Sequence, residues 1–91
     1  MVRCTHVRLE GGKYHEHISR IAWKNDATGA AGNNTRAEMV TFVEGGNQAY
    51  CQDAAGNRAY LRVRVSSAGN KYVQTYADGI WTDNLLALPR F

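Results

Sequence analysis

Arg58-Ala59-Tyr60-Leu61-Arg62-Val63-Arg64-Val65-Ser66 is the stretch that decides the fold. Ala59, Leu61, Val63 and Val65 alternate with Arg58, Tyr60, Arg62 and Arg64. Successive side chains of a strand point to opposite faces, so a period of two predicts a strand with one face on a core and the other in water. On the C-terminal side, Ser67 to Asn70 reads as a turn and Lys71 to Ala77 as a further strand, broken by Asp78-Gly79. On the N-terminal side, Ala54 to Asn57 reads as a turn that joins Arg58–Ser66 to a short strand over Ala49 to Asp53.

Before that strand the period changes. Thr35-Arg36-Ala37-Glu38 has the spacing of a capping box, in which the threonine hydroxyl accepts from the third helical N–H and Glu38 reaches back. Ala37, Val40 and Val43 then recur at helical spacing, with Met39 and Phe42 widening the apolar stripe, and Gly45-Gly46 supplies the stop. Val2 to Leu9 and Tyr14 to Lys24 read as a hairpin about Gly11-Gly12, with Ile18, Ile21 and Trp23 as apolar anchors. Asn25 to Asn34, rich in Gly, Ala, Asn and Thr, reads as a loop. The segment from Ile80 to Phe91 carries Trp81, Leu85, Leu86, Leu88 and Phe91 and is expected to pack back across the domain. The order is β-β-α-β-β-β plus a tail. It predicts an α+β fold in which about five antiparallel strands carry one short helix on one face. Ala-Gly-Asn occurs at 31–33, 55–57 and 68–70 with no common period, which is repeated turn chemistry and not a repeat architecture.

Ninety-one residues suit one domain over 1–91. A chain of this size buries only about 60–65% of its unfolded surface, so its core is thin and dimerisation would help it. The hydrophobic fraction of 44% and charged fraction of 21% are those of a globular chain. The opening Met1 to His6 lacks the apolar run of a signal peptide, and Leu85 to Leu88 is too short to span a bilayer. No membrane partner is expected. With Cys4 and Cys51 the only cysteines, the thiols are expected to be free, in a reducing compartment.

Lys71 to Thr75, Asp78-Gly79, Thr82 to Leu86 and Leu88-Pro89, together with Arg3 to Leu9 and His15 to Ile18, resemble the DUF3892 family of small bacterial proteins. The resemblance spans most of the chain. It implies a short, stand-alone, cytoplasmic bacterial protein. The family has no activity to lend, and no site residues carry over from it.

Three constellations bear on function. Arg58, Tyr60, Arg62 and Arg64 form a stripe, with Lys71, Tyr72 and Tyr76 on the next strand in a register the sequence leaves open. Arginine pairs with phosphate and tyrosine stacks on unpaired bases, so a β-surface of this kind suits nucleic acid. A net charge of +3 and a pI near 9.1 permit that partner without requiring it. The alternative occupant of the same stripe, with Lys71, is an acidic protein surface. In the first hairpin, a turn centred on Gly11-Gly12 would set His6 opposite His17 and bring Cys4, His6, His15 and His17 to one face, a donor set for zinc. Arg8 on that face would oppose a cation, and a slip of one residue would undo the set. The Gly-rich loop before the helix lacks Gly-Lys-Ser/Thr and is no P-loop.

No paired carboxylates or nucleophile–base spacing suggests catalysis. Cys51 suits a buried strand position, and Asp78 and Asp83 suit turns. The first expectation is a non-catalytic protein-interaction or regulatory module with a protein partner or as a homodimer. The second is a nucleic-acid-binding accessory protein, and the third a small metal-binding protein.

Overall fold

The computed structural model describes residues 1–91. Its chain order is β1 (Val2–Leu9), a 3-10 helix (His15–His17), β2 (Ile18–Asn25), β3 (Ala31–Thr35), α1 (Arg36–Glu44), β4 (Ala49–Gln52), β5 (Arg58–Val65), β6 (Lys71–Ala77) and β7 (Ile80–Thr82). The strands make one sheet in the order β3-β2-β1-β4-β5-β6-β7. There are thus seven strands, not about five. The sheet is mixed, because β1 and β4 run parallel through Val2–Ala49 and Arg3–Tyr50 while every other neighbouring pair is antiparallel.

The two added strands come from segments without an apolar alternation. Ala31 to Thr35 is held by pairing to β2, from Arg20–Thr35 to Lys24–Ala31. Ile80 to Thr82 is held against Thr75 to Ala77 across the tight Asp78-Gly79 turn. The first hairpin also departs from its expected form. Instead of a two-residue turn, an eight-residue connection over 10–17 contains the 3-10 helix, and β2 begins at Ile18. A Cβ at Gly12 would lie 2.4 Å from the His17 imidazole, so any larger residue there displaces that ring.

α1 begins where the capping box placed it. Glu38 N–H donates to Thr35 Oγ1 over 3.2 Å, and Thr35 N–H donates to the Glu38 carboxylate over 2.8 Å. The bond from the Thr35 backbone leads in holding the Glu38 carboxyl below its usual range. Thr35→Ala removes the cap and is expected to cost about 1 kcal/mol, read as a lower urea midpoint at an unchanged slope.

The helix touches β2 and β3 on one flank and β5 and β6 on the other, so the sheet curls around it. Met39 and Val40 from α1 meet Cys4, Val7, Ile18, Ile21, Ala49, Cys51, Leu61 and Val73 from the covered sheet face. The Cys4 and Cys51 thiols lie side by side in this core, both free. The hydrogen bond between them, then burial, drives the Cys4 thiol well above its usual range.

The segment after β7 completes the core. Leu85 is fully buried, and Leu86 and Leu88 pack beside it. Leu85 N–H donates to Thr75 Oγ1, which also bonds the Thr82 hydroxyl and carbonyl. Beyond Arg3–Tyr50 the pairing of β1 with β4 stops, and Pro89 to Phe91 takes up the β1 edge instead. Val7 N–H donates to Pro89 O over 2.9 Å, and Phe91 N–H donates to Val7 O over 3.3 Å. No helix is long and apolar enough to cross a membrane.

Candidate functional site

The sheet face turned away from α1 is where the chemistry collects. All of the eleven basic residues except Lys13, Arg36 and Arg90 lie in strands, and none of the eight acidic residues does. Strand alternation then sorts the basic side chains by face. Arg3 and Arg8 of β1, Arg20 and Lys24 of β2, and Arg58, Arg62 and Arg64 of β5 share the outward side, in registers that set Arg3 opposite Lys24 and Arg8 opposite Arg20. Like charges placed directly opposite are destabilising, and this concentration is offset in part by local partners, Arg8 on Phe91 and Arg20 on Asn33.

Lys71 goes the other way. It is paired with Val65, one position out of phase with Arg64 and Tyr72, and its ammonium lies 2.7 Å from the Glu44 carboxylate at the end of α1. It therefore does not join the stripe, a point the sequence alone leaves open.

A row of aromatic rings crosses the same outward face. Tyr50 pairs with Tyr60, Tyr60 with Tyr76, and Tyr76 with Trp81, one ring from each of β4, β5, β6 and β7. Tyr50 and Tyr60 are 6.2 Å apart at their centroids, and Tyr76 meets Trp81 edge-on at 5.1 Å. Tyr50 is buried, and its hydroxyl donates to Asp26, which leads in raising the phenol above its usual range. Guanidinium groups lie on the rings: Arg58 is 4.4 Å from the Tyr50 centroid, Arg62 is 4.3 Å from Tyr76 and Arg64 is 4.5 Å from Trp81. Arg64 also donates to Gln74 Oε1 over 3.0 Å, and Gln74 in turn donates to Thr82 O. A cation laid flat on a ring is attracted by its quadrupole and keeps its N–H edge available. The stripe seen in the sequence is thus interleaved with rings from the neighbouring strands.

The sequence reading found Arg58, Tyr60, Arg62 and Arg64, but missed Tyr50, Trp81, Arg3, Arg8, Arg20 and Lys24 as members of the same face. The cross-strand register joins them, and only the alternation within each strand was there to suggest it.

The first hairpin does not assemble its four donors. A bulge at Thr5 lets β1 turn over, so Cys4 pairs with Trp23 and is buried while His6 pairs with Ala22 and faces out beside Phe91. His15 and His17 belong to the 3-10 helix and do not face β1 in a ladder. His17 Nδ1 accepts from Tyr14 N–H. His15 is buried, with Nε2 unpartnered and Nδ1 4.0 Å from Asp83, and burial holds its imidazole below its usual value. No three His, Cys, Asp or Glu side chains come close enough together to hold a metal ion.

Two other features are accounted for locally. The N-terminus of α1 is already served by Glu38, which occupies the place an anion would take. An apolar cavity of about 250 Å3 under the helix is lined by Val2, Trp23, Met39 and Phe42, and Trp23 Nε1 donates to Asn34 at its rim.

No curated protein and no solved structure matches the chain. One family does, described as a protein of unknown function (DUF3892), over residues 3–89, and the chain belongs to that family.

Proposed function

We propose that the outward sheet face is a platform for single-stranded nucleic acid. The carrying observation is the segregation of charge. Seven Lys and Arg side chains, Arg3, Arg8, Arg20, Lys24, Arg58, Arg62 and Arg64, project from the strands on one side, against two turn carboxylates, Asp26 bonded to Tyr50 and Asp78 between β6 and β7. Tyr60, the ring of the row that carries no guanidinium, gives that positive surface something a generic polyanion site lacks. Stacking on a ring contributes about 1–3 kcal/mol per base and tolerates any sequence. Guanidinium groups held on neighbouring rings are pre-oriented for phosphate oxygens, so less side-chain freedom is lost on binding. A single strand fits this surface better than a duplex, because the stacking faces of paired bases are covered by their neighbours. The protein acts without catalysis in this role and uses Arg58, Tyr60, Arg62 and Arg64 for contact.

Fluorescence anisotropy of short labelled single-stranded DNA and RNA should show binding that weakens steeply between about 50 and 200 mM salt, as counterion release requires. Matched duplexes should bind more weakly. If no oligonucleotide binds at the lower salt, the platform is excluded, and the face is left for a protein partner, an acidic surface being the alternative occupant of the stripe.

A further inference from the structure

The four rings of the outward row are not equivalent. Tyr50, Tyr76 and Trp81 each lie under a guanidinium, whereas Tyr60 lies under none, although Arg58 and Arg62 flank it on its own strand. A groove of about 370 Å3 runs over this open ring, shared by Tyr60, Arg58, Arg62 and Tyr76 with Gln48 and Asp78. A volume of this order is that of a small-ligand site.

Asp78 is the groove's one carboxylate. Its backbone lies at φ 52° and that of Gly79 at φ 80°, the paired left-handed conformation of a two-residue turn between β6 and β7. The turn explains the choice of an Asp-Gly or Asn-Gly pair there. It does not explain a carboxylate in particular. Asp26, Glu38, Glu44 and Asp53 are engaged by Tyr50, Thr35, Lys71 and Asn57, and of the carboxylates without a partner, Glu10, Glu16 and Asp78, the last alone lines the groove. The Asp78 side chain enters no hydrogen bond or ion pair of the chain, and it stands beside a stacking ring on a surface otherwise suited to phosphate.

An ionised carboxylate accepts hydrogen bonds through both oxygens and donates none. Unpaired bases are read on their Watson–Crick edges, where they differ in the order of donors. Guanine sets its N1–H and N2–H side by side and meets both carboxylate oxygens at once. Adenine and cytosine set a ring acceptor beside the amino donor, and thymine and uracil flank one N–H with two carbonyls. Each of these turns an acceptor toward the carboxylate. We propose, on the basis of the platform argued above, that the groove over Tyr60 takes one unpaired base and that Asp78 selects guanine.

The test compares labelled single-stranded repeats of dT-dG, dT-dA and dT-dC and plain oligo-dT on the wild type and on Asp78→Asn, which keeps a residue the turn accepts and changes the acceptor set. The wild type should bind the dT-dG repeat at least about fivefold more tightly than the dT-dA and dT-dC repeats, the low end for one good bidentate contact. Asp78→Asn, checked for an unchanged thermal midpoint, should lose that preference and hold oligo-dT at least as well as before. Equal affinities in the wild type, or a preference for guanine that survives Asp78→Asn, would overturn the selection and leave the platform standing. Failure of every repeat to bind would overturn both.

Discussion

Leu85→Ala is expected to lower the stability of the protein by about 3 kcal/mol, within the range of 2–5 kcal/mol for emptying a buried leucine site. The residue lies outside every strand and helix, and yet it is fully buried in the core cluster. Its backbone is held as well, through the Thr75 hydroxyl. Both restraints hinder the segment from collapsing into the vacated space, and the cost of a cavity depends on how far its walls can relax. A small domain has about 5–15 kcal/mol of stability in total, so this one change removes a large share. The thermal midpoint should fall by roughly 10–20 °C for a chain of this size. Urea titration is the direct measurement, with the midpoint falling at an unchanged slope. A loss below about 1 kcal/mol would mean that the segment after β7 is loosely attached, since surface truncations rarely cost more than that.

The second large effect is on binding. Arg62→Ala with Arg64→Ala should weaken single-stranded nucleic acid about tenfold to a hundredfold at low salt, and should flatten the salt dependence by roughly 1.4 in its log–log slope, for two phosphate contacts at about 0.7 each. Stability should fall by about 1–2 kcal/mol, because Arg64 gives up its bond to Gln74 and both side chains leave their rings, so binding is compared at a temperature where both proteins are folded. The pair Arg62→Lys with Arg64→Lys separates charge from shape. Lysine keeps the charge and most of the salt slope, but it lacks the planar group that lies on Tyr76 and Trp81. An intermediate affinity is therefore expected. If both doubly substituted proteins bind as the wild type does, these arginines are not the contact, whatever else the face holds.

Local signals carried much of the fold. The strand at Arg58–Val65, its exposed and covered sides, and the helix start at Thr35 all follow from alternation and capping, which need no distant partner. The failures lie where a distant partner decides. Ala31 to Thr35 has glycine and two asparagines and no apolar side, and it becomes a strand because β2 offers an edge. The hairpin register failed for two reasons. A bulge at Thr5 shifts every later side chain of β1 to the opposite face, and the 3-10 helix takes His15 and His17 out of the ladder. The four metal candidates depended on that register and dispersed with it. The candidate face was half legible. Its β5 stripe could be read from one strand, but Tyr50 and Trp81 join it only through the registers of three hairpin pairings. The face of Lys71 could not be read at all, because it follows from pairing with Val65.

The way Pro89 to Phe91 closes onto β1 bears on how long the fold lasts once formed. Arg8 and Phe91, joined by a hydrogen bond, stand 83 positions apart, and β1 meets β4 only after a helix and two strands have intervened. Chains dominated by such remote contacts fold in milliseconds to seconds, far slower than helical bundles of equal length. Where the local β5–β6–β7 meander forms first, the closing segment docks onto a sheet already in place. Its contacts are then absent from the rate-limiting barrier, so they act as a latch. They hardly affect how fast the protein forms, and they govern how long it stays formed.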